Sequence, residues 1–537
     1  MVKSRTEYSD TDSLELTSNR IPKPQKISVS RHGMVSTAHF GATEAGVEML
    51  ESGGNAFDAA VAAAFALGVC EPFASGLGGQ TMMTIHIAEQ RKTVALDGSS
   101  RAPNRTMPGV FERRDLLAGH KASTVPSTPA VLNYLVSRFG ALKIEAALGP
   151  AIRLAEDGFI VTKLNHMLTK RELKKLRKGS AASLFLKKGI NPHPEGAIFK
   201  QPVLGQTLRR IAKAGVKDFY RGKIARAIHA DMVANGGLIR HDDLAQIPLP
   251  IERKPISCRF GGWRLLTFPP PGAGRTLVEM LNILSSLPED HRIPDSPEGA
   301  LAIAKVIRQA NIDRNDRPRD PSFFPQARKG KMLSLKYAAK VAERIELEIA
   351  GRGETTHLSV MDRFGNIVAL TQSIERVYGS YEASPELGFL YNNYMSAYEY
   401  EDINHPYYLR PNSSPWASVA PTIVFAGRKP WVALGSPGSE RISSSILQTL
   451  LRLTTLSHLE AVSAPRLHCS ISGKVSLEAT RMSDEVTRAL ESAGYEIDVR
   501  DPFSFYLGCV QMVCREGSQF IGVADPRRDG SARGPGK

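Results

Sequence analysis

The alternation of side chains changes period several times along this chain, and one stretch alternates in twos. In "ETTHLSVMDRFGNIVALTQSI", residues 354–374, Thr355, His357, Ser359 and Met361 fall on one side of a strand, and Thr356, Leu358 and Val360 on the other. Asp362-Arg363-Phe364-Gly365-Asn366 supplies turn residues, and Ile367 to Ile374 reads as the return strand. With Met361 and Asn366 flanking the turn, Thr355 comes to face the region of Gln372 and Ser373, so two hydroxyls converge at the open end of a hairpin.

Elsewhere the period is helical. "GATEAGVEMLESGGNAFDAAVAAAFALGVCEP" predicts a helix over Ala42–Glu51 that stops at Gly53-Gly54. A second helix, capped by Asn55, runs to Cys70. The second is nearly all small residues, which lets it pack close to a sheet. "SGLGGQTMMTIHI" and "KTVALDG" read as strands, and residues 127–240 as mainly helical. "WRLLTFPPPGAGRTLVEMLNIL" reads as strand, loop and helix; strands follow at 421–436, then a helix from about Ser439 to Thr455, then terminal strands. Helices mixed with antiparallel hairpins point to an α+β layered fold. Residues 1–28 and the tail Arg527 to Lys537 are polar and read as disordered.

Composition adds less. The 537 residues are 42% hydrophobic, enough for a sizeable core. The net charge of +15 is partly local: residues 170–178 form a basic run beside Leu164, Leu168, Leu173 and Leu176, read as a solvated helix face rather than a contact for an anionic surface. No aromatic residues interleave with that run, so no nucleic-acid partner is expected. Five cysteines, at 70, 258, 469, 509 and 514, match no zinc spacing and read as reduced thiols. No metal or cofactor is expected. With no signal-peptide pattern and no membrane-length apolar run, a cytoplasmic location is expected.

Several stretches together, in order from about residue 30 to 530, resemble the γ-glutamyltransferase (γ-glutamyl transpeptidase) family. They include "GMVSTAHFGATEAGVEMLESGGNAFDAAVAAAFALGVCEPFASGLGGQ", "PPPGAGRTLVEMLNIL", "TTHLSVMDRFGNIVALTQS", "GFLYNN", "GSPGSERI" and "ADPRRDG". The resemblance implies an N-terminal-nucleophile hydrolase with an αββα sandwich, made as a proenzyme that cuts itself at Glu354–Thr355. Residues 29–354 would form the large subunit and residues 355–537 the small one, the two staying together. The chemistry suits the residue. A Thr hydroxyl needs a base to become a nucleophile, and a newly freed α-amine, with a reference pKa of about 7.7–8.0, supplies one. Ser373 takes the place of the family's second hydroxyl residue. Gly438 and Ser439 stand where the family has two glycines that form an oxyanion hole. Ser439 keeps the N–H but not the freedom to adopt positive φ, and capping the following helix is its other reading.

The sequence departs from the family where a glutamyl head group is held. Ser99 stands at the carboxylate-binding Arg, with Arg101 two residues on, a shift of roughly 6–7 Å along the same strand face. Ala397 stands at the amine-binding Asp, beyond Tyr394. Glu375 replaces an Asn or Glu partner, and of two serines only Ser418 remains, the first being Ala417. The primary expectation is an amidohydrolase or acyltransferase for γ-glutamyl, glutathione-like amides, with Arg101, Glu375 and Ser418 holding the substrate. The alternative is an acylase of the same mechanism for amine-free acyl groups of glutaryl type, which Ala397 and Tyr394 suit. A non-catalytic basic scaffold is the third reading.

Overall fold

The computed structural model describes residues 24–112, 114–316 and 354–536, with no side-chain description for 315, 316 and 354. Two seven-stranded sheets stack face to face. The first runs Ser531–Arg533, Gly33–Thr37, Glu354–Asp362, Ile367–Glu375, Gln80–Ile87, Lys92–Gly98, Ile251–Arg253, every neighbouring pair antiparallel. The second runs Ile27–Ser30, Gln519–Ala524, Gln511–Glu516, Lys429–Gly435, Thr422–Ala426, Trp263–Thr267, Ile256–Phe260. Between them lies a dry layer that includes Met34, Met361, Ile367, Ala369, Ile423, Phe425, Val513 and Phe520.

Helices cover both outer faces. Ala56–Cys70 lies over the hairpin sheet, buried along almost its whole length. Its Asn55 cap accepts from the Phe57 and Asp58 N–H groups while the Asp58 carboxylate accepts from the Asn55 N–H, a reciprocal capping box. Gly274–Ser285, Pro297–Asp316 and Arg441–Arg452 cover the other sheet. The αββα sandwich expected from the sequence is the fold. The helical and strand segments fall where their periods place them: Phe40–Glu51, Pro202–Ala214 and Lys223–Ala234 are helices, Gln80–Ile87 and Lys92–Gly98 strands.

The polar ends depart from expectation. Residues 1–23 lie outside the described residues, but Ile27–Ser30 is an edge strand paired with Gln519–Ala524. The tail is ordered too, because charges from distant sequence neutralise it. Arg527 is buried against Glu478 at 2.8 Å and Asp525 at 3.1 Å, Arg528 reaches Glu71 at 3.4 Å, and Ser531–Arg533 adds a strand beside Gly33–Thr37. Such carboxylates offset the hydration that a buried guanidinium loses. The basic run belongs to the helix Lys163–Leu176, whose Leu164, Leu168 and Leu176 are buried in the core while most of its lysines face solvent.

The five cysteines are free thiols, four of them buried. No helix among the described residues is long and apolar enough to cross a membrane, and no cluster of His, Cys, Asp or Glu among them has the form of a metal site.

Candidate active site

Alternation along Glu354–Asp362 sorts the side chains between two environments. Leu358 and Val360 enter the core under the helix Ala56–Cys70, and on the same side the Thr356 hydroxyl donates to Glu71 at 2.6 Å. His357 points the other way, into the sandwich. Its Nδ1 pairs with Thr371 at 2.8 Å and its Nε2 with Ser359 at 3.1 Å. Burial holds His357 neutral, its pKa lowered to about 3. The opposed strand meets this ring at Gly435, where a Cβ would stand 2.2 Å from His357 Cε1. Glycine is required there by the close approach.

One pair further toward the open end, Thr355 faces Ser373, hydroxyl to hydroxyl at 3.5 Å. The facing depends on a bulge. The ladder pairs Thr356 with Gln372 and Glu354 with Glu375, so Thr355 alone opposes Ser373 and Ile374. The Ile374 backbone is satisfied instead by Ala74 O and Asn393 N. Bulges of this kind re-aim side chains next to active sites. Thr355 and Ser373 are both nearly inaccessible, at 5% and 2% exposure.

Around Ser373 the groups are polar and held. Its Oγ accepts from the Glu375 N–H at 2.8 Å. The Tyr394 hydroxyl hydrogen-bonds Ser373 and Gln80, and burial raises its phenol far above the ordinary value. Gln80 in turn accepts from Ser100 N–H at 2.9 Å. Glu375 has a positive φ of 76°, an uncommon backbone state for a non-glycine residue. Partial burial raises its carboxyl to about 7, against the opposing pull of Arg376 and Arg314.

The loop after Gly435 carries Gly438 at φ 118° and Ser439 at φ 54°. Ser439 therefore adopts the left-handed conformation that its side chain disfavours. It does not cap the following helix: Glu440 holds that position without a side-chain cap bond. The N–H groups of Gly438 and Ser439 donate to no group among the described residues. Two adjacent free donors at a helix entrance are what a developing oxyanion needs.

The substrate-side candidates separate. Ser418 accepts from Arg314 Nη2 at 2.9 Å. Arg314, which sequence reading missed, is buried, stacks on Trp416 at 3.7 Å, and feels the charges of Glu440 and Glu375. Nothing local marked it, since it is one basic residue among many in that stretch. Arg101 was expected to reach the site by sliding along its strand. Its guanidinium donates to Ser414 at 2.5 Å and lines a cavity of about 300 Å³ with Asn104, Asp243 and Asn412. The strand has ended at Gly98, so simple alternation no longer aims residue 101. Ser99 is buried and donates to Asp97 at 2.6 Å, which Arg253 holds at 2.7 Å, so that position offers no cation. Ala397 ends the short turn Tyr394–Ala397. The backbone of Glu354 pairs with Glu375.

The sequence profile of the gamma-glutamyltranspeptidase family matches residues 42–534. This chain belongs to the γ-glutamyltranspeptidase family. It is 31% identical to a glutathione hydrolase proenzyme of Pseudomonas sp. (strain A14), with 93% of each chain covered. It is 34% identical to an acylase ACY 1 proenzyme of Pseudomonas sp. (strain SE83), with 88% of each covered. Among solved structures it resembles cephalosporin acylase from Bacillus halodurans, at 26% identity and a TM-score of 0.87, covering 98% of this chain and 100% of that one. This γ-glutamyltranspeptidase-family chain is thus an enzyme with the N-terminal-nucleophile hydrolase fold, and the scaffold reading falls.

Proposed function

We propose that the chain matures by cleaving its own Glu354–Thr355 bond, and that the freed Thr355 then hydrolyses or transfers acyl groups from γ-glutamyl, glutathione-like amides. The observation that carries this is Thr355 facing Ser373, hydroxyl to hydroxyl, at a bulge inside the sandwich. In maturation, Thr355 Oγ attacks the Glu354 carbonyl carbon, the C–N bond breaks, and water hydrolyses the resulting ester. That leaves an α-amine on the residue that bears the nucleophile. In turnover this amine takes the Oγ proton as Oγ attacks the donor carbonyl. The Gly438 and Ser439 N–H groups receive the oxyanion, and the proton passes to the departing amine. Water or an acceptor amine then takes the acyl group. Ser373 orients the hydroxyl, and Glu375 faces the acyl chain.

The fragments stay together because the new N-terminus lies mid-sheet. Glu354–Asp362 is paired with Gly33–Thr37 on one side and with its own hairpin partner on the other, and that partner pairs with Gln80–Ile87. Residues 355–537 thus contribute strands inside a sheet whose remaining strands precede the cut.

A second reading, an acylase for amine-free glutaryl-type amides, is favoured by one pair of positions. Ala397 offers no carboxylate for an ammonium, and Ser99 is spent on Asp97.

Intact mass and N-terminal sequencing of purified protein test the proposal. The expected result is a fragment that begins at Thr355, two bands on denaturing gels and one species on native sizing, with Thr355→Ala remaining a single inactive chain. A wild-type chain still full length after prolonged incubation at neutral pH overturns it.

A further inference from the structure

We infer that Arg314 binds the terminal carboxylate of the acyl group, so that the enzyme's donors are acyl amides ending in a carboxylate, with or without an amine beside it. The inference rests on the proposed role of Thr355 and narrows the substrate class of that same site.

Arg314 is 7% exposed. Of the five N–H bonds a guanidinium offers, those on Nη2 go to Ser418 Oγ at 2.9 Å and, weakly, to Ala417 O at 3.5 Å. Its Nε and Nη1 donate to no described residue, and no carboxylate among the described residues lies within ion-pair distance. Two other buried arginines of this chain are built differently: Arg466 has Asp525 at 2.7 Å, and Arg527 has both Glu478 and Asp525. A buried cation without an anion is costly unless a ligand brings one.

Its surroundings place it at the acyl pocket. Ser418 holds one edge and the Trp416 ring one face, which fixes the guanidinium plane. Glu440 follows Ser439 of the oxyanion loop, and Glu375 lies two residues beyond Ser373. The charges of both reach Arg314, although neither pairs with it. Ser418 thus touches this cation directly, while Glu440 and Glu375 act on it through charge alone. Ser99, where the family places its carboxylate-binding Arg, is bound to Asp97. The cation offered here instead sits on the helix Pro297–Asp316. A γ-glutamyl and a glutaryl group both end in the carboxylate that a planar guanidinium takes in two parallel hydrogen bonds.

The test compares glutaryl p-nitroanilide with pentanoyl p-nitroanilide, which has the same chain length and no carboxylate, on matured enzyme. Wild type is expected to favour glutaryl in kcat/KM by on the order of 30-fold or more. Arg314→Met should bring the ratio to within about threefold of one, and Arg314→Lys should restore part of it, a charge-dependent pattern that loss of packing alone would not produce. Equal use of the two donors by wild type overturns the inference without any variant being needed, and so does a folded Arg314→Met that keeps the wild-type ratio; both leave the role of Thr355 standing. Hydrolysis of neither donor by wild type overturns the inference and leaves the role of Thr355 standing, whereas equal hydrolysis by wild type and Thr355→Ala overturns both.

Discussion

Replacing Glu375 by Gln should raise stability, and by more at neutral than at acid pH. The substitution keeps the shape and removes the charge. In the folded chain the Glu375 carboxyl sits at about 7 against an ordinary 4.5, with burial as the main cause. The folded state therefore holds this proton more tightly than the unfolded chain does, so stability falls as pH rises from about 4.5 to about 7. The full gap corresponds to ~3.4 kcal/mol at about 1.4 kcal/mol per pH unit. Glu375 is only partly buried, and solvent screening reduces this to ~1–2 kcal/mol. Spread over 537 residues at roughly 2.1 cal/mol/K each, that is ~1–2 °C in Tm. The assay is scanning fluorimetry from pH 4 to 8 on uncleaved Thr355→Ala protein, with and without Glu375→Gln. The Gln chain should match the parent near pH 4 and exceed it by that margin at pH 7.5. A difference that is constant across the range, or one that favours Glu at high pH, refutes the environment assigned to this carboxyl.

Three further outcomes are expected. Gly435→Ala places a methyl group against the His357 ring and should cost about 2 kcal/mol or more, visible as a lower Tm and impaired maturation; an unchanged Tm would show that the two sheets are not seated on each other there. The kcat/KM of matured enzyme should rise through an ionisation near about 7.7–8.0, as the Thr355 α-amine loses its proton, and should not respond to chelator; loss of activity with chelator, restored by zinc, would rule out the mechanism. Ala397→Asp should shift preference toward γ-glutamyl over glutaryl donors by about tenfold, as an ammonium gains a partner, measured as the ratio of kcat/KM values; a fixed ratio would mean that residue 397 does not face the acyl chain.

Much of the sandwich was legible because its elements are locally consistent. The Ala-rich helix, its Asn55 cap and the 354–375 hairpin announce themselves within short windows, and each is where its period puts it. Even the Thr355–Ser373 facing was readable, although the bulge that produces it was not. A bulge depends on Ala74 and Asn393 taking up the spare backbone groups, and those lie far off in sequence. The ends misled for the same reason. "ADPRRDGSAR" looks like a solvated tail until Glu71, Glu478 and Asp525 are found around it. Arg101 lies past the end of its strand at Gly98, so alternation does not aim it. Arg314 gave no local signal at all, since its meaning lies in Ser418 and Trp416, about a hundred residues later.

Two of the candidate site's non-glycine residues, Glu375 and Ser439, have positive φ. A left-handed L-residue costs roughly 1–2 kcal/mol, so the surrounding fold must impose it. The gain is positional. At Ser439 the positive φ keeps two adjacent N–H groups clear of carbonyl partners, and at Glu375 it accompanies a turn that sends an N–H back to Ser373 Oγ. Under the proposed mechanism, strain at these two residues serves acyl transfer. For a head group the chain has no cation at Ser99, no carboxylate at Ala397 and a buried cation at Arg314. A hydroxyl pair and free backbone N–H groups together with a buried cation are the parts that the proposed transfer of a carboxylate-bearing acyl group calls for.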